Sequence, residues 1–186
     1  MGRIILAGIA GSVAMFVMMS ILHMSPLAQV GISQMTNDGP ALAALQTATG
    51  NKPGFYIFPA VDMKAKDAMA QMTARMKVEP FGIMAYQPPG AAGGISPLLL
   101  LREYAKEIVQ SLLLATLLSF VLLATYWSRV GVVALVGVIS TMTTNLSYWN
   151  WYAFPTNYTL ANMTIEVAGF LAAGLVIAAL VKPQRA

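Results

Sequence analysis

Between residues 158 and 181 the chain is largely apolar with a single charged residue, Glu166, and the run 4–24 holds no Asp, Glu, Lys or Arg at all. A stretch of about 20 such residues is what a helix needs to cross a bilayer. Inside hydrocarbon only a helix or a closed barrel keeps every backbone N–H and C=O bonded. Composition agrees, with 58% hydrophobic and 10% charged residues, and places the chain among integral membrane proteins. It has no cysteine, which excludes disulfides, thiolate metal sites and cysteine nucleophiles. The net charge of +4 comes without a basic tract interleaved with aromatics, so nucleic acid is not an expected partner.

Four spans are expected. The first, in residues 1–26, reads as a retained helix: its apolar part exceeds a signal-peptide core, and His23-Met24-Ser25-Pro26 offers no small-x-small cleavage site. On it Ala7, Gly11 and Ala14 form one close-packing stripe, and Gly8, Ser12, Met15, Met19 and His23 a second. Ser96-Pro97 starts a long helix, Ser as cap and Pro in the first turn. It is expected to reach residue 127, roughly 46 Å by the helical rise, with 108–127 in lipid and the first turns protruding. There Glu103 and Glu107 share a face and Glu103 can pair with Lys106, the pattern of a solvated amphipathic turn. Tyr126-Trp127-Ser128-Arg129 reads as a tight basic turn, 130–146 as the third span and 158–181 as the fourth. Arg3, Arg129, Lys182 and Arg185 then lie on one side with no acid among them, which puts both termini in the cytoplasm.

Residues 27–95 are too polar to span and too many for a turn. A helix is expected after Asn37-Asp38-Gly39-Pro40, strands at 54–60 and 81–87, and an amphipathic helix at 64–77. Residues 88–94, PPGAAGG, break all periodicity and read as a flexible joint. The fold class is therefore an all-α membrane protein: a four-transmembrane-helix bundle, both ends inside, with a small extracytoplasmic α/β insert at 27–95 and residues 96–186 completing the bundle.

Tyr148, Trp149, Trp151, Tyr152 and Tyr158 gather around Pro155, as aromatics do at the headgroup level. Glu166 lies roughly 12 Å beyond that corner by the helical rise. A carboxyl at that depth is costly, so it is expected to face protein or water. Asn162, Glu166, Gly169 and Ala173 fall on one stripe that would meet a neighbouring helix. Depth matching brings Ser140, Thr141 or Thr144, and Ser111, beside Glu166. His23, Glu103, Glu107, Asn145, Asn162 and Glu166 all belong to the outer half, and a polar pocket opening outward is expected there.

SYWNWYAFPTNYTLAN, with GRIILAGIAGSVAMFVMMSILHM, YIFPAVDM and ISPLLLLREYAKE, resembles an uncharacterised group of bacterial four-helix membrane proteins across most of the length. The resemblance implies the topology and a bacterial inner membrane; it implies no activity and no site residues.

No catalytic set is legible: GAAGG lacks the Lys and Ser/Thr of a P-loop, and no GxSxG elbow accompanies the single histidine. The leading expectation is a non-enzymatic accessory or structural subunit docking a larger membrane complex, another membrane protein or itself, through the outer insert and the small-residue helix faces Ala7, Gly11, Ala14, Gly169 and Ala173. The alternative is a carrier for a small lipid-like ligand such as a quinone, with Glu166, His23, Asn145, Asn162, Trp149, Glu103 and Glu107 as candidate contacts. Third comes copper or haem handling through Met15, Met19 and His23, whose thioether and imidazole groups suit soft metals. Methionine at helical spacing follows from any apolar face, so no metal and no cofactor is assigned, an unidentified bound lipid or quinone aside.

Overall fold

The computed structural model describes residues 1–91, 96–121 and 125–181. The later part of the expected joint, the expected run of the second helix through 122–124, and Lys182 and Arg185 lie outside the described residues. Three helices are long and apolar enough to cross a membrane: α1 Gly2–His23, α5 Tyr126–Tyr152 and α6 Thr156–Leu180. Three more complete the described set, α2 Asp38–Thr49, α3 Ala68–Met76 and α4 Pro97–Phe120, with two short strands, β1 Gly54–Phe58 and β2 Gly82–Tyr86. The chain divides into two compact units, Met1–Ile32 with Ile95–Ala186, and Ser33–Gly94.

In the first unit α6 is the central helix, packed along α1 on one side and α5 on the other, while α4 lies on α1. Small residues set these approaches. A Cβ on Gly11 would come within 2.6 Å of Ile177, and one on Gly137 within 2.6 Å of Phe170. Gly8 lies so close to α4 that a Cβ would stand 2.9 Å from the Leu112 Cα. These close approaches replace the hydrophobic drive that is absent between helices in lipid. The stripe expected as one face of α6 meets two neighbours: Asn162 donates to Asn145 on α5, whereas Gly169 abuts Met15 and Met19 on α1.

Two expectations about the helix ends are corrected. α4 stops at Phe120 and does not continue as one helix to residue 127. Thr125 takes an extended backbone and its hydroxyl accepts the N–H of Ser128 at 3.1 Å, so residues 126–129 are the first turn of α5 rather than a turn between spans. Arg129, expected at a cytoplasmic surface, is buried. Its Nε and Nη2 donate to the Ala178 carbonyl at 3.2 and 2.9 Å, in the last turn of α6, where carbonyls have no helical partner and a cation is favoured.

Residues 27–32, expected in the insert, belong with the helices. Ser25 caps a 3₁₀ turn, Pro26–Gln29, that packs on α1 and α6. Gly31 has φ +78°, and a Cβ there would sit 2.7 Å from the Tyr158 nitrogen, so both conformation and space demand glycine.

The second unit pairs β1 with β2 antiparallel, Gly54 opposite Tyr86 through Phe58 opposite Gly82. Pro59 ends β1 because it has no N–H to donate. Tyr56 and Tyr86 share one face, their hydroxyls donating to the Lys52 carbonyl at 2.9 Å and to Asn51 at 3.0 Å. At the end of α3, Arg75 donates to Glu79 at 2.9 Å and holds that exposed carboxyl below its ordinary range. The start of the expected flexible joint is a hydrogen-bonded turn, Ala91 N–H to Pro88 O at 3.1 Å, with Gly90 at φ +80°.

Gly8→Ala should force α1 and α4 apart and cost about 1–3 kcal/mol, the usual range for overpacking. Gly131→Ala, where a Cβ meets nothing within 4 Å, should leave stability unchanged or raise it. Thermal unfolding of the two variants in detergent checks the contrast; equal midpoints would contradict the packing described.

Candidate functional site

Because α5 and α6 run antiparallel with glycines at their crossing, short polar side chains can reach between them. Asn145 on α5 faces Asn162 and Glu166, one helical turn apart on α6. The Asn145 amide N–H₂ donates to Glu166 Oε2 at 3.2 Å and back to Thr141 Oγ1 at 3.0 Å and its carbonyl at 2.9 Å. The Asn162 amide donates to Asn145 Oδ1 at 2.7 Å and to Glu166 Oε1 at 3.0 Å. Both carboxyl oxygens thus accept from an amide, and the acceptors around each Asn fix which way its amide points. Asn145 is 6% exposed and Thr141 wholly buried, so the network lies within the bundle while Glu166 keeps one side open.

That side borders a cavity of about 220 Å³. Glu166, Ser140 and Thr144 form its polar wall with Lys106 and Gln110 from α4, and Met15, Met19 and Phe170 form its apolar wall. The cavity exists because α4 packs on α1 and α6 but only sparsely on α5. Sequence patterning placed Ser140, Thr141 and Thr144 near Glu166, and missed Lys106 and Gln110. Their i, i+4 spacing, which puts both on one face of the helix, was the available signal.

The other candidates lie elsewhere. His23 is exposed at the end of α1, and its Nδ1 faces the Met19 carbonyl at 2.9 Å; since a carbonyl only accepts, that nitrogen carries the proton. His23 also borders a small cavity of about 170 Å³ with Tyr158 and Asn162. Trp149 donates its indole N–H to Thr156 at 3.0 Å, tying the end of α5 to the start of α6, and takes no part in the amide network. Ala153 bends that corner in the left-handed region, φ +55°, and Tyr148, Phe154 and Tyr158 stack through it.

Glu103 pairs with Lys106 on the exposed face of α4, as expected. Glu107 does not share that solvated face. It is fully buried and its two oxygens have no hydrogen-bond partner, nor has the buried hydroxyl of Ser111, which was expected beside Glu166. The α1 packing face is the reason: Glu107 and Ser111, at i and i+4, fall on the same side as Leu114, Ala115 and Leu118, the buried row of α4. Of the expected packing residues, Ala7 and Ala173 are fully buried, Gly11 and Gly169 lie at the α1–α6 seam, and Ala14 is half-buried. Among the described residues no three His, Asp or Glu side chains gather as metal ligands would; Met15 and Met19 pack against Gly169.

No family model, curated protein or solved structure matches the chain.

Asn162→Leu removes donors from Asn145 and Glu166 at once and should lower stability by about 1–3 kcal/mol, the cost of leaving buried acceptors unpaired. Thr164→Leu, whose hydroxyl only returns to the Leu160 carbonyl on an exposed face, should change stability by less than about 0.5 kcal/mol. Chemical or thermal unfolding in one detergent compares them.

Proposed function

We propose that the chain is a four-span protein of the bacterial inner membrane that binds the polar head of a small amphipathic molecule, such as a quinone, at Glu166. The observation that carries this reading is a carboxyl fixed by two amides at the wall of a cavity that is polar on one side and apolar on the other. Binding sites are commonly apolar hollows with a few placed polar groups. At about 220 Å³ the space suits a head group, with the tail running out along the apolar surface. In this reading Glu166 accepts a hydrogen bond from a head-group hydroxyl, which the reduced quinol form carries, Lys106 and Gln110 donate to a head-group carbonyl, and Phe170 and the methionines meet the apolar part.

The fourth span is α4. Its charged first half, with Arg102, Glu103, Lys106 and Glu107, keeps it outside the composition of a simple span, and we place that half at the aqueous boundary with the remainder in lipid. The end bearing Glu166 then faces the periplasm, as does the insert, and the Arg129 end faces the cytoplasm, in line with the positive-inside tendency.

A second reading, docking of a membrane partner, is favoured by the insert, whose β1 leaves Phe55 and Ile57 exposed by 62% and 53% on one face. Copurification of a stoichiometric partner, lost in Phe55→Ser with Ile57→Ser, would move the assignment to that reading.

The ligand reading is tested by mass spectrometry of small molecules released from the purified protein. Wild type should retain one class of amphiphile in near-stoichiometric amount. Glu166→Gln, which turns one acceptor into a donor facing an amide, and Thr144→Leu, which narrows the cavity from an exposed position, should both reduce it about tenfold while the protein remains folded. An identical profile in all three would overturn the reading.

A further inference from the structure

Among the described residues the buried acid without a hydrogen-bond partner is not Glu166 but Glu107. Its side chain is fully buried and neither oxygen has a hydrogen-bond partner, and one turn further along α4 the Ser111 hydroxyl is in the same condition. A carboxyl taken out of water with no donor costs several kcal/mol in round terms. A group left in that state in a packed helix pair marks a place where something else completes it.

Glu107 borders a cavity of about 650 Å³ between the end of α1 and the start of α4. Phe16, Met19 and Leu100 give it an apolar wall, and its polar groups include Glu103 and His23. Glu103 is already matched by Lys106, and His23 directs Nδ1 to the Met19 carbonyl. Of the two carboxyl groups on this wall, Glu107 is therefore the one with no partner.

We propose that this cavity binds an organic cation carrying an apolar body, with Glu107 as its counter-ion. Two carboxyl groups on one wall disfavour an anion, and the volume with its aliphatic and aromatic lining asks for more than a metal ion or a water. A cation that spreads its charge loses little hydration on entering such a site, and Phe16 gives its wall an aromatic ring. Ser111, beside Glu107, offers a hydroxyl to hold the carboxyl once it carries the ligand. This site stands apart from the Glu166 cavity, sharing only Met19 with it, and does not rest on the reading proposed for Glu166.

The probe is tetraphenylphosphonium, measured by equilibrium dialysis against the purified full chain in detergent at about pH 8, above the ordinary carboxyl range. Saturable binding near one per chain is expected in the wild type and in Glu166→Gln. Glu107→Gln should weaken it at least about tenfold, and Leu100→Trp, which fills the cavity from a half-exposed position, should weaken it as well. Uptake that never saturates, or that is equal in wild type and Glu107→Gln, would mean partition into the micelle and would overturn the proposal. Should Glu107→Gln fail to fold, the wild type still decides: the O–H of a buried carboxyl adds across a C=N bond of the hydrophobic reagent dicyclohexylcarbodiimide and rearranges to a stable acylurea, and the modified peptide is read by mass spectrometry. Saturating probe should slow modification of Glu107 about tenfold and leave that of Glu166 unchanged; equal rates at Glu107 with and without probe would show an acid that holds only a proton.

Discussion

A carboxyl inside an apolar helix unit needs donors that solvent does not supply, and the fit of α5 on α6 follows from providing them to Glu166. Asparagine is short. For Asn145 to reach across at 3.2 Å the two backbones must run close, and Gly137 against Phe170 and Gly174 against Val133 permit it. The amide network in turn fixes the rotation of the pair: one residue of slip turns a helix by about 100° and would carry Asn145 away from both partners. Polar satisfaction and close packing thus depend on each other here, the glycines bringing the amides within reach and the amides choosing which glycines face the seam.

The same logic separates what was legible in the sequence from what was not. The spans of α1 and α6 could be read because an unbroken apolar run has few other solutions in lipid, and Ser96-Pro97 marked the start of α4 through local chemistry alone. Asn145, Asn162 and Glu166 could be matched by depth because antiparallel neighbours joined by a three-residue corner keep their levels. Thr125 was also a local signal, a hydroxyl three residues before Ser128, but the apolar run on either side of it hid the break in the helix. Arg129 and Glu107 were not legible: Glu107 stands among other charges and looks solvated until the partner helix is known, and Arg129, the one charge between Glu107 and Glu166, reads as a surface turn until the end of α6 is placed beside it. Arg129 is drawn inward by the open carbonyls at the end of α6, and Glu107 is covered because it falls in the row that α4 turns toward α1.

Two acids in one unit therefore meet opposite surroundings. Glu166 has a full set of neighbours on one side and a cavity on the other, so its position is fixed before anything binds. Glu107 has the packed face of α1 on one side, a cavity on the other and no donor, so its surroundings oppose charge until a partner enters. On the readings proposed above, the first would recognise a hydrogen-bonding head and the second would discriminate by charge.

The distribution of polarity along the unit limits what such a molecule can do with a ligand. Both cavities lie toward the end where α1 finishes and α6 begins, as the contacts of Gly169 with Met19 and of Phe16 with Tyr104 require. Toward the other end the space between the helices is filled by Ala7, Leu114, Leu118, Val133, Ile177 and Val181, buried together as one cluster. Arg129 and Tyr126 bond carbonyls of α6 there, at Ala178 and Leu175. A path through the bundle would have to open that packed end, breaking hydrogen bonds to a buried guanidinium and separating close-packed helices at once. On the proposed reading the cheaper course is entry and exit from the same end, which is how a binding protein or carrier subunit handles a molecule and not how a pore does.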